Sequence, residues 1–353
     1  MLNLLMADMP PPPTLRELSQ ILGVSPATVS LALRNDPRVA AQTRERVAAA
    51  AQEHGYRINP AIASLMSQVR STRRVAYQET IGWLNFWERP DIYQKTGVEF
   101  QLLMWQGALR RAEELGYTLD SIWMREEQMT QRRATDILHA RGIRGILIPP
   151  LPESADLPEI EWSSFCAITM SYTMSNPHLD RILPDHFSNM QIILRNLQTR
   201  GYQRPGLLMP EGYDARSDHR CMAAYAHMQQ ALPQANRIPA HTCHPTKIEP
   251  ATIAWLNKHR PDAVITMGTL KGIRQVPGLP KKYRERLGLV LMSNAASDAD
   301  ICGINENPAI IGATAIEQLA LLLQNNQHGL PRHPKLIQIE GEWIEGASAP
   351  NLG

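Results

Sequence analysis

Between Thr14 and Arg74 the chain carries nine arginines, no lysine and four acidic residues, a net +5 in a protein whose total formal charge is only +2. Guanidinium groups at that density suit phosphates, or the bidentate acceptor edge of a guanine. Elsewhere the reactive residue types are sparse and poorly spaced for catalysis. Asp185 and His186 adjoin and could exchange a proton, but no Gly-x-Ser-x-Gly turn or phosphate-binding glycine loop accompanies them. A structural or ligand-contact role is expected there, and enzymatic activity is not. Cys166, Cys221, Cys243 and Cys302 form no Cys-x-x-Cys pair, so neither a disulfide framework nor a zinc finger is indicated. His241-Thr242-Cys243-His244 lacks a tetrahedral ligand spacing and reads as a surface loop beside a strand, so no metal and no cofactor is expected.

The elements that must position the arginines are legible from their ends. Thr14 and Glu17 form a capping box ahead of Leu15, Leu18 and Leu22, and Gly23 can take the left-handed conformation that stops a helix. Ser25-Pro26 supplies an N-cap and a first-turn proline for a second helix, through Val29 to about Leu33. After Asn35-Asp36-Pro37-Arg38, a third helix from about Gln42 to His54 buries Val47, Ala50 and Ala51 before Gly55. Two helices joined by a tight glycine turn make a DNA-reading module. An alanine-rich bundle with a solvated charged face is the plainer reading of the same residues.

From Thr80 onward, short apolar runs alternate with helical stretches, the pattern of parallel sheets covered on both faces. Strands are expected at Ile81–Leu84, Tyr117–Met124 and Gly145–Ile148, with helices from Phe100 to Leu115 and through Arg141. A second set starts near Ile182, with a helix to Arg200, a strand from Gly206 to Met209, a helix from Arg216 to Leu232, and strands at Ala263–Met267 and Leu289–Met292. Two sets imply two lobes. Trp83, Phe86 and Trp87 fall at the end of the first strand, where a cleft or the core would equally take them.

Through Thr28-Val29-Ser30, Pro37-Arg38-Val39, Thr43-Arg44-Glu45-Arg46-Val47, Gly55-Tyr56-Arg57 and Asn59-Pro60, the amino-terminal part resembles the DNA-binding domain of the LacI/GalR (lactose-repressor) family of transcription regulators. The resemblance implies a small all-α helix-turn-helix domain plus an α/β two-lobed core of the periplasmic-binding-protein type I kind. The boundaries expected are a disordered lead over 1–13, the helix-turn-helix domain over 14–58, a hinge helix and linker over 59–79, and the effector-binding and dimerisation core over 80–353. It implies that Ser25 to Leu33 lies in the major groove, with Thr14, Leu15, Ser25, Pro26, Ala27, Thr28, Ser30, Leu31 and Arg38 at the DNA. Asn59 would cap the hinge helix, and Leu65 would wedge between central base pairs in the minor groove; an ordinary amphipathic linker is the alternative for this stretch.

Gly107-Ala108, Glu113-Glu114-Leu115-Gly116-Tyr117, Asp185 before Gly201-Tyr202, and Ile304 with Gly312 carry the resemblance into the core, interrupted by an insertion of about eight residues around Glu88 to Val98. Effector contacts are then expected from Trp83, Phe86, Trp87, Phe100, Arg216, Arg220 and Asn294. Four departures stand out. Leu31 replaces a usual arginine, Ala40 a usual serine cap, and Asn294 a sugar-gripping aspartate, while Cys221 occupies a position where arginine is common.

At 353 residues, with 43% hydrophobic side chains, the chain suffices for the small module and two further cores. Met1 to Pro13 lacks a basic n-region, and no apolar run approaches the roughly 18 residues that cross a bilayer, so a cytoplasmic protein without a membrane partner is expected. The reading is a homodimeric regulator, a repressor, of a palindromic operator in double-stranded DNA, controlled by a small, sugar-like effector. A small-molecule-binding protein or carbohydrate enzyme with a vestigial DNA module is the competing reading, kept open by Leu31 and Met66.

Overall fold

The computed structural model describes residues 13–352 apart from 34, 55, 57–78, 94–98, 154, 158, 268–272, 274–277 and 296–299. Asn59 and Leu65, and positions 1–12 of the expected lead, lie outside the described residues. The amino-terminal module is built from α1 (Leu15–Leu22), α2 (Pro26–Leu33) and α3 (Ala41–Glu53). Their shared core is small: Leu18, Val29, Ala32, Val39, Val47, Ala50 and Ala51.

The first lobe contains β1 (Thr80–Asn85), α4 (Glu99–Leu115), β2 (Thr118–Trp123), α5 (Gln131–Ala140), β3 (Gly145–Ile148), β4 (Cys166–Thr169) and β5 (Asp180–Pro184). The second contains α6 (His186–Thr199), β6 (Pro205–Pro210), α7 (Tyr213–Arg216), α8 (Arg220–Gln230), β7 (His241–Cys243), α9 (Pro250–His259), β8 (Ala263–Thr266), α10 (Lys281–Arg286), β9 (Gly288–Leu291) and β10 (Cys302–Asn305). The chain then returns to the first lobe for α11 (Pro308–Gln324) and β11 (Leu336–Ile339), and to the second for β12 (Glu342–Ile344).

The sheets run β11-β5-β4-β3-β1-β2 and β12-β10-β9-β8-β6-β7. All pairings are parallel except β10 with β12. Their strands are buried apolar runs, as sheets covered on both faces require. In the first lobe, α4 and α11 cover one face of the sheet and α5 the other. In the second, α6 and α8 lie on one face and α9 on the other.

Two sequence expectations are corrected. The strand around Ile182 belongs to the first lobe, because Ile182 pairs with Ile337 from the far end of the chain. The helix expected from Arg216 to Leu232 is broken into α7 and α8, with Asp218 and His219 at positive φ (53° and 59°). The Asp214 carboxylate fixes the break by accepting from the Met222 amide at 3.1 Å and sitting 2.7 Å from His219 Nδ1.

Three segments of chain cross between the lobes and are tied together. Asn189 Oδ1 accepts from the Gly341 amide at 2.8 Å, Asn307 Nδ2 donates to the Glu340 carbonyl at 3.0 Å, and the Asp185 amide donates to Ile339 O at 2.9 Å.

Candidate functional site

The ends of α1 and α2 show how short-range chemistry builds the helix-turn-helix. The Thr14 amide donates to Glu17 Oε2 at 2.6 Å while Thr14 Oγ1 accepts from the Glu17 amide at 3.3 Å, completing the capping box. Gly23 ends α1 at φ 67°, a conformation that glycine adopts without steric penalty. Ser25 Oγ accepts from the Thr28 amide at 3.0 Å and starts α2, whose first residue is Pro26. Ala40 offers α3 no side-chain cap. Arg44 braces the preceding loop by donating to the Val39 and Asp36 carbonyls at 2.8 and 3.3 Å. In that loop Arg38 forks onto Asp36, with Nε and Nη2 at 3.0 and 2.7 Å, yet the Arg38 side chain stays 75% exposed. The Arg38 hydrogen bond holds the Asp36 carboxyl well below its ordinary range, at about 2.

The second site is a cavity of about 400 Å³ between the lobes. It lies at the carboxyl ends of the parallel strands, where an open α/β sheet leaves a crevice: Pro150 follows β3, Met170 follows β4, Leu183 and Pro184 end β5, Met267 follows β8 and Leu291 ends β9. Phe100, Tyr172 and Tyr213 add aromatic surface, while Ser171, Thr173, Ser217, Ser293 and Asn294 add hydroxyl and amide groups. At its floor the His186 imidazole faces Glu306 at 3.5 Å, with side-chain exposures of 11% and 4%. Burial by itself lowers the imidazole pKa, but interactions with Cys221 and Glu306 outweigh it and raise it to about 10. Arg216, from the second lobe, donates to the carbonyls of Leu151 and Pro152 in the first lobe, at 2.7 Å for Leu151. Burial depresses its pKa. A cavity with these walls can stack the apolar face of a ring and hydrogen-bond its rim.

Known families match both parts of the chain. The family described as bacterial regulatory proteins, lacI family, matches residues 14–59. The model for periplasmic binding proteins and the sugar binding domain of the LacI family matches residues 91–298, more than half of the chain. The chain belongs to the LacI family. HTH-type transcriptional regulator AglR of Rhizobium meliloti (strain 1021) is 48% identical over 54 residues, a stretch spanning only 15% of either protein. Among solved structures, the transcriptional regulator CelR–cellobiose complex superposes with a TM-score of 0.59 at 15% identity, covering 95% of this chain and 99% of that one. The lac repressor dimer bound to operator and the anti-inducer ONPF gives 0.54 at 17% identity, covering 96% and 99%. At these identities the likeness is one of fold.

In this LacI-family chain, Phe100, Arg216 and Asn294 line the cavity, whereas Trp83, Phe86, Trp87 and Arg220 are not among its lining residues. Trp83 is core: β1 runs on to Asn85, so Trp83 lies within the strand, fully buried and edge-on to Tyr93 and Trp105 at 5.2 and 5.0 Å. Phe86 packs against the core on the α5 side. Trp87 stands behind the cavity wall, donating from Nε1 to Pro150 O at 2.9 Å, with Arg216 6.0 Å from its ring centre. Arg220 likewise lies behind Tyr172, 4.6 Å from the ring centre, and pairs with Asp218. Asn294 is 2% exposed, and its side-chain Nδ2 donates to Ile301 O at 2.8 Å. Asp185 caps α6 through Ser188 at 3.0 and 2.8 Å.

Sequence reasoning missed Tyr172, Tyr213 and the pairing of His186 with Glu306. The partners in that pair are 120 positions apart, with no local pattern to join them. Among the described residues, no group of three or more His, Cys, Asp or Glu side chains could hold a metal, and no helix is long and apolar enough to cross a membrane.

Proposed function

We infer that this protein is a sequence-specific, DNA-binding transcription repressor that acts as a homodimer on an approximately palindromic operator in the cytoplasm, and that a small, sugar-like molecule in the interlobe cavity controls it. The observation that carries this reading is a cavity walled by both lobes at their crossovers, in a chain whose other end is a helix-turn-helix. A ligand touching both walls interacts differently with open and closed lobes, which is the requirement for shifting an equilibrium between them. Rotation of the lobes would alter the spacing of the two hinge segments, where Leu65 is assigned the minor-groove wedge and Asn59 the cap. Two recognition helices on one side of a duplex call for a two-fold axis, hence the dimer and the inverted repeat. The mixture of aromatic surface, hydroxyls and amides suits a polyhydroxylated ring, and the family model that covers the cavity is that of a sugar-binding domain.

Selection of bound sequences from a random duplex library by the full-length protein tests the DNA arm. Enrichment of an inverted repeat, reduced for Leu65→Ala, is the expected result; binding that fades with salt and enriches nothing would refute it. For the effector arm, thermal unfolding is measured with a panel of mono- and disaccharides. A stabilising sugar should also change operator affinity, because linkage is reciprocal.

A further inference from the structure

The helix α2 has no charged side chain along Pro26-Ala27-Thr28-Val29-Ser30-Leu31-Ala32-Leu33. Val29 and Ala32 point into the core of the module. At about 3.6 residues per turn, the opposite face is centred on Ala27 and flanked by Pro26, Ser30 and Leu31. Pro26 and Ala27 are exposed, and Leu31 is half-buried, with its inner side against the module core and its outer side lining an open cavity with Arg38, Arg144 and Leu323. The hydroxyls of the first turn are committed locally, with Ser25 Oγ 2.8 Å from Thr28 Oγ1 and accepting the Thr28 amide. The second helix of a helix-turn-helix lies in the major groove with its first turns toward the base edges. This one presents methyl and methylene groups there, with Ser30 as the sole polar side chain of the face.

We propose that α2 reads each half-site through the 5-methyl groups of thymine, with Pro26, Ala27 and Leu31 as the specificity-determining side chains. The proposal rests on the DNA-reading function inferred above. In the major groove thymine alone among the four bases offers an apolar group, and alanine-like surfaces pack on it. The same surface discriminates against G·C pairs, because guanine O6 and N7 or the cytosine amino group beneath it would lose water without gaining a partner. Arginines such as Arg16, Arg38 and Arg46, exposed around α2, are left to fix register on the phosphates and carry no base information.

The test starts from the inverted repeat selected by the full-length protein. Each thymine facing α2 is replaced by deoxyuridine, which removes the methyl and leaves every hydrogen-bonding group in place. Affinity should fall about fourfold per methyl and about fifteenfold when a symmetry-related pair is removed. In parallel, selection with Leu31→Arg should recruit guanine at one position of each half-site, since the arginine stem preserves the packing while its head reaches O6 and N7. Deoxyuridine duplexes bound within about twofold of the parent, or α2 positions that select G·C pairs in the unaltered protein, would overturn the proposal while leaving the regulator reading intact. Failure to select any repeat would overturn both.

Discussion

At the floor of the cavity, His186 and Glu306 hold one another with almost no access to water. The folded-state pKa of His186 is raised from 6.5 to about 10, so the protonated form favours the folded protein. Its contribution is complete below about 6.5 and is lost as pH rises from there through about 10. The melting temperature of the wild type should therefore fall more steeply across this window than that of His186→Gln; parallel curves for the two proteins would refute the assignment. At the residue scale, sequence served best where partners are close in the chain. The Thr14–Glu17 capping box and the Ser25 N-cap are readable from neighbouring residues, and both form in the structure. In sequence His186 stands only beside Asp185, whereas its partners Cys221 and Glu306 come from α8 and from the second crossover. Trp83 shows the opposite failure. An aromatic near a strand end is ambiguous until the strand's true end is known, and β1 extends just far enough to bury it.

Among elements, α4 and α11 approach backbone to backbone. Gly107 faces the backbone of Ala309, and Gly312 faces that of Met104, so a Cβ at either position would overlap a carbonyl oxygen. Alanine normally stabilises a helix relative to glycine by up to about 1 kcal/mol. Here the sign should reverse, because two backbones would have to separate. Gly107→Ala and Gly312→Ala are each expected to destabilise by about 1–3 kcal/mol, read as a lower urea midpoint. A midpoint that rises would show that the helices can move apart freely. The helices of the module were legible because caps and a glycine stop are local signals. The break between α7 and α8 was not, since it depends on a single carboxylate, Asp214, reaching the Met222 amide eight positions later. β11 and β12 were equally silent: each is a short strand whose partner, β5 or β10, lies far back along the chain.

For the whole molecule, the decisive contact is the one that Arg216 makes across the cleft to Leu151 and Pro152. A guanidinium bound to carbonyls of the other lobe favours a closed arrangement and forms one wall of the cavity at the same time. Arg216→Ala should open the lobes, seen as a larger radius of gyration by small-angle scattering. It should also weaken any sugar identified in the unfolding screen by roughly 10- to 100-fold. An unchanged radius with unchanged binding would remove Arg216 from both roles. The two-lobed plan could be read from alternating strands and helices, but which lobe owns which strand could not, because the chain returns to each lobe after leaving it.

That return imposes an order on synthesis. When the ribosome has added about 300 residues, the first sheet still lacks β11 at its edge and α11 across one face, and the second lacks β10 and β12. The amino-terminal module, by contrast, is complete within its first fifty-odd positions. The nascent protein thus acquires its helix-turn-helix before the first lobe begins, and the full cover of both lobes that wall the cavity only once α11, β11 and β12 have emerged. A ligand that favours the finished cavity can therefore engage only after these late elements have been made.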